Sequence, residues 1–135
     1  MNIHESAEDY LESILVLKNR LGQVRSIDIV NELGYSKPSV SVAMKKLREN
    51  HYIEMDAGGY ITLLPAGREI AERIYARHLL LTDFFEYLGV EHNVAAADAC
   101  RVEHYLSDQT FSKLYEHAQR VMAENRFAAS TSPVD

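Results

Sequence analysis

The sequence predicts a mainly α chain in which an N-terminal winged helix-turn-helix is followed by an all-helical domain. Three observations predict it. Three capped helical segments precede residue 50, a glycine-centred pair of short β-prone runs follows, and three further helical patterns begin at Pro65. Domain boundaries follow from this order. Residues 1–64 form the winged helix-turn-helix, 65–127 the helical domain, and 128–135, small and polar, a flexible tail.

The first helix is read from Ala7, Tyr10, Leu11, Ile14, Leu15 and Leu17, which follow three-and-four spacing, with Ser6 as its cap and Gly22 closing it. Ser26 opens a short second helix that ends at Gly34. A third begins at Ser36, with Pro38 in the first turn, where its missing N–H is not needed. Two short helices around a glycine-containing turn make a helix-turn-helix, whose second helix is the one that enters a major groove. Tyr52–Met55 and Tyr60–Leu64 flank Asp56-Ala-Gly-Gly59 and form a hairpin, the wing. Pro65 opens a long helix to about Leu88, ended by Gly89, and two more helices cover 93–106 and 110–124, the last capped near Asp108 or Thr110.

Composition bounds the function. With 47% hydrophobic and 25% charged residues in 135, the chain is an ordinary globular protein. No apolar stretch approaches the roughly 20 residues of a membrane span, and the start lacks the character of a secretory leader, so a cytoplasmic protein without a membrane partner is expected. The single cysteine, Cys100, cannot form an intrachain disulfide. A glycine-rich phosphate loop and a His-Glu-x-x-His motif are both missing, so neither an enzyme nor a small-molecule substrate is expected. A small metallohydrolase using Cys100 or a metal-bound water is set aside on the same ground.

The net charge is −6, yet its distribution is uneven. Residues 37–48 contain Lys37, Lys45, Lys46 and Arg48 with no acid, whereas residues 5–12 contain Glu5, Glu8, Asp9 and Glu12 with no base. One segment suits an anion and the other a cation. In the third helix Val40, Val42, Ala43, Met44 and Leu47 can supply a buried stripe. Ser36, Lys37, Pro38, Ser39, Ser41, Lys45 and Lys46 are left to face double-stranded DNA, with Gly59 and Tyr60 of the wing. The bland alternative is a solvated helix face.

A second constellation points to metal. Cys100, Glu103 and His104 stand at i, i+3 and i+4, which on a helix places thiol, carboxylate and imidazole on one face. Asp9 and Glu12 stand at i, i+3 on the first helix, and His78 lies midway along the long one. Each has a plainer reading: Asp9 as the acid of a Ser6-x-x-Asp9 capping box, Glu12 as solvated, His78 and Cys100 as core. His4, His51, His92 and His117 have no partner at useful spacing and read as surface.

The stretches Ser6–Glu12, Ser36–Ser41, Leu63–Gly67, Arg77–Leu81 and Ala99–His104 resemble the iron- and manganese-dependent repressors typified by the diphtheria toxin repressor and the manganese transport regulator. The resemblance implies metal ligation by Asp9, Glu12, His78, Cys100, Glu103 and His104, and a homodimer formed through the helices after the wing. It implies a repressor that binds operator DNA when loaded with Fe²⁺ or Mn²⁺, with Zn²⁺, Co²⁺ or Ni²⁺ able to substitute in vitro. Cys100 matches the iron branch, while Asp9 and Glu12 match the manganese branch. Thr82 and Ala96 depart from the iron branch, standing where that branch supplies ligands to a second site. The rival reading is a metal-independent winged-helix regulator that senses a small molecule, and indifference of DNA affinity to chelator would single it out.

Overall fold

The structure, a computed structural model, describes residues 5–131, with side chains through residue 124. His4 and residues 132–135 of the expected tail lie outside the described residues. The chain is mainly helical and divides into two compact units, with the division between Tyr75 and Ala76.

The first unit contains α1 (Glu5–Leu21), α2 (Ser26–Leu33), α3 (Lys37–Glu49), β1 (Ile53–Met55), β2 (Ile61–Leu63) and the start of α4 (Pro65–Tyr87). This is a winged helix-turn-helix. Ser6 lies inside α1 rather than at its cap, which removes the capping-box role from Asp9. At α2 the cap position is held by Arg25, not Ser26, because the Asp28 carboxylate accepts from the Arg25 backbone N–H at 2.9 Å. Gly34 ends α2 in the left-handed region, φ 72°, where its N–H reaches the Val30 carbonyl. At α3 the Ser36 hydroxyl accepts from the Ser39 N–H at 3.2 Å, and Pro38 sits in the first turn, as its missing donor allows.

Leu11, Ile14 and Leu17 of α1, Ile29 of α2, and Val40 and Met44 of α3 are almost fully buried in one core closed by Ile53 and Ile61 of the hairpin. The strands pair antiparallel with Ile53 opposite Leu63 and Met55 opposite Ile61. Asp56 sets the turn: its Oδ1 accepts from the N–H groups of Gly58 and Tyr60, both at 2.9 Å. The wing is joined to the helices by Ile61 N–H donating to the Val24 carbonyl at 2.8 Å. Gly67, in the first turns of α4, is fixed by close approach, since a Cβ there would stand 2.1 Å from the Tyr52 carbonyl oxygen. Gly67→Ala is therefore expected to destabilise the fold by about 2 kcal/mol, the usual scale of overpacking. A urea midpoint unchanged from the parent would remove that contact from the account.

The second unit contains the rest of α4, α5 (His92–Val102) and α6 (Asp108–Thr131). α5 is shorter than the expected 93–106. Its backbone tightens after Val102, where Tyr105 N–H turns back to the Val102 carbonyl, so Glu103 holds the C-cap position and His104 lies in the turn. Neither Asp108 nor Thr110 caps α6. The Ser107 hydroxyl accepts from the Thr110 N–H at 3.1 Å, and the Asp108 carboxylate is engaged elsewhere, by Arg77. α6 continues past residue 124 to Thr131, because no glycine or proline interrupts it before Pro133. No described helix is long and apolar enough to cross a membrane.

Candidate metal centre and DNA-facing helix

On α5 the buried residues Ala95 and Ala99 are four apart, and the next position on that stripe is Glu103. A carboxylate thus occupies a place that periodicity assigns to a hydrophobe. Its relative accessibility is 0%. One oxygen, Oε2, lies 3.0 Å from His78 Nδ1, reached from α4. The other, Oε1, has no hydrogen-bond partner, and His104 Nε2 stands 3.5 Å from it. The His104 side chain is only 1% exposed and that of His78 is 26% exposed.

A buried acceptor left unpaired destabilises a fold by roughly 1–3 kcal/mol, and more when charged. Such a group is retained where something else satisfies it, and a carboxylate flanked by two imidazoles is a donor set for a first-row divalent cation. Cys100 lies one turn before Glu103 on α5, with its sulfur within 4.8 Å of a Glu103 carboxylate oxygen. The residue is exposed, which corrects the plainer reading of it as core. His78, Cys100, Glu103 and His104 are therefore gathered within the second unit. The end of α5 separates Glu103 and His104 from the regular helix on which all three of their group were expected.

Asp9 and Glu12 sit three residues apart on α1, in the first unit, both half-buried. Their neighbour Glu8 is buried and paired with Arg73 at 3.2 Å, a structural use that separates it from them. Burial first, then the nearby Tyr35 and Asp9, raises the pKa of the Tyr10 phenol above its ordinary value. It stays a neutral hydroxyl in the physiological range.

On α3, Ser36, Lys37, Pro38, Ser39, Ser41, Lys45 and Lys46 are all exposed, while Val40, Met44 and Leu47 are buried. Val42 departs from the expected buried stripe. It is 55% exposed, because positions 40, 44 and 47 define the inner face and 42 lies about 200° around the helix from 40. The wing residues Gly59 and Tyr60 are half-buried. Sequence reasoning missed the side chain that braces them: Arg25 lies over the Tyr60 ring at 4.8 Å, and its Nε donates to the Gly58 carbonyl at 3.0 Å. His51, His92 and His117 are exposed, although His92 contacts Glu86 and His117 contacts Arg120. A cleft of about 460 Å³ runs between α1 and α3, lined by Ala7, Tyr10, Pro38, Val42 and Lys46 among others.

Two family descriptions match the chain. Residues 2–58 match the iron dependent repressor N-terminal DNA binding domain, and residues 64–124 match the iron dependent repressor metal binding and dimerisation domain. The chain is 31% identical to the transcriptional regulator MntR of Salmonella typhimurium, over 86% of this chain and 74% of that protein. It is also 31% identical to the HTH-type transcriptional regulator MntR of Geobacillus kaustophilus, over 90% and 86%. Among solved structures it is similar to a manganese-dependent transcriptional repressor in complex with manganese, with 26% identity and a TM-score of 0.77 over 84% of this chain. The chain spans about half the length of that solved repressor, 52%. From sequence and fold together, the chain belongs to the family of iron- and manganese-dependent transcriptional repressors.

Proposed function

We propose that the chain is a metal-responsive repressor that binds operator DNA as a homodimer when loaded with Fe²⁺ or Mn²⁺. The observation that carries this is the fully buried Glu103 carboxylate, with one oxygen lacking a hydrogen bond and two histidines beside it. His78, Cys100, Glu103 and His104 would hold the cation from the helical unit, and Asp9 and Glu12 of α1 would complete its shell. When bound, the cation neutralises this crowd of carboxylate and thiol donors.

The coupling follows from where the donors belong in the chain. Asp9 and Glu12 are part of the DNA-binding unit and the other four are part of the helical unit, so a cation shared by all six would tie the two together. Metal acts as corepressor to the extent that it binds the DNA-competent arrangement more tightly than others. The helical unit exposes Leu79, Leu88, Val94 and Tyr115, apolar side chains suited to the dimer interface. A two-fold dimer then presents two α3 helices to successive major grooves of a palindromic site, about 34 Å apart. Carboxylate-rich ligation and the manganese named for the similar solved repressor favour Mn²⁺, whereas the thiol of Cys100 favours Fe²⁺.

Titration of selected operator DNA with the protein in Mn²⁺, in Fe²⁺ under reducing conditions, and in chelator tests the reading. DNA affinity is expected to rise at least tenfold with one of the two metals and to fall back with chelator. Equal affinity in all three would transfer the sensing role to a small molecule, for which the cleft between α1 and α3 offers space.

A further inference from the structure

We propose that Arg77 is the positioning residue of the metal centre, acting through the short connector that carries Glu103 and His104. Arg77 is charged yet its side chain is only 4% exposed. Its guanidinium makes three directed contacts with residues 103–108. Nη1 donates to the Glu103 carbonyl at 3.1 Å and to the Leu106 carbonyl at 2.7 Å, and Nη2 donates to Asp108 Oδ1 at 2.6 Å. The Phe111 ring covers it, 5.0 Å from centroid to Cζ.

These acceptors are the backbone of a candidate ligand, the end of its turn, and the first residue of α6. α5 ends at Val102, and beyond the bonds of the Glu103 N–H to the Ala99 carbonyl and the Tyr105 N–H to the Val102 carbonyl the helix ladder does not continue through this connector. A planar donor fork in a buried setting fixes it instead, a geometry that lysine's single nitrogen cannot reproduce. Arg77 also precedes His78 in sequence, so one turn of α4 supplies both a candidate ligand and the clamp on two others. The inference rests on the metal-centre reading above.

Charge and position predict opposite signs for its removal. Arg77 is a cation beside a cation site, and its partner Asp108 is 81% exposed. Arg77→Met keeps the apolar stem, removes the positive charge and takes the guanidinium away from the Asp108 carboxylate. Electrostatics alone would make divalent ions bind more tightly. Loss of positioning makes them bind more weakly, by about 10–100-fold, the scale seen when groups that orient metal ligands are lost.

The test is an EPR-monitored Mn²⁺ titration of the full chain, wild type, Arg77→Met and Arg77→Lys, with amide hydrogen exchange of residues 103–107 followed in metal-free protein. Expected are a 10–100-fold weaker Mn²⁺ affinity and at least tenfold faster exchange at the Tyr105 amide in Arg77→Met, with Arg77→Lys between it and wild type in both. Unchanged or tighter Mn²⁺ binding by Arg77→Met overturns the proposal. If Arg77→Met does not fold, Arg77→Lys decides: intermediate affinity supports the role, and wild-type affinity with wild-type exchange overturns it. Wild-type protein that holds neither Mn²⁺ nor, under reducing conditions, Fe²⁺ would sink the metal-centre reading and this inference with it, whereas wild-type binding matched by Arg77→Met sinks this inference alone.

Discussion

Glu103→Gln is expected to lose Mn²⁺ affinity by at least a hundredfold while the metal-free protein melts at or above the wild-type temperature. The two signs come from one fact. The carboxylate is fully buried with an unpaired oxygen, so in the absence of metal its charge is a burden on the fold. Glutamine has the same shape, keeps a group able to hydrogen-bond His78, and removes the charge. Metal bound at a hundred times its dissociation constant stabilises the native state by about 2.7 kcal/mol. That increment should be present in wild type and absent in the variant. Thermal melts with and without Mn²⁺ check both halves, and a variant that kept the metal-induced rise would take Glu103 out of the site.

The second large effect is expected at α3. Each lysine that neutralises a DNA phosphate contributes about 0.9 to the slope of log affinity against log salt. Lys37→Ala with Lys45→Ala should therefore lower that slope by about 1.8 and weaken binding roughly 50-fold at 0.1 M salt. Stability should hardly move, since both side chains are exposed and the 4.0 Å pair of Lys45 with Glu49 is itself solvent-exposed. Fluorescence anisotropy over a salt series measures the slope. A double variant with the wild-type slope would mean that another face meets the phosphates.

Local periodicity made most of the fold legible. The spacing of Leu11, Ile14 and Leu17, the Ser36 cap with Pro38 behind it, and the Asp56–Gly59 turn are each set by residues within one or two turns of one another. What escaped was decided by partners far along the chain. α6 starts from Ser107 because Arg77, thirty-one residues before Asp108, engages the aspartate that would otherwise cap it. Val42 read as core because valine is apolar, but the phase of α3 is fixed by Val40, Met44 and Leu47.

The site shows the same division. The Cys-x-x-Glu-His spacing pointed to residues that the fold does bring together beside His78, yet the helix on which it was placed ends one residue before Glu103. The burial of Glu103 could have been anticipated by following Ala95 and Ala99 one more turn along their stripe. The exposure of Cys100 has the same origin, since one position beyond Ala99 turns away from that stripe. Arg77 and Arg25 left no such trace. Arginines beside apolar residues ordinarily extend to solvent, and only the carbonyls that meet them in three dimensions reveal their use.

Anomalous diffraction at the manganese edge, from crystals of this chain grown with Mn²⁺, tests the central claim most directly. A peak is expected within bonding distance of Glu103, with His78 and His104 turned toward it and the Asp9 and Glu12 carboxylates completing its coordination. Fully bound manganese elsewhere on the chain, with the Glu103 oxygen still unligated, would contradict it.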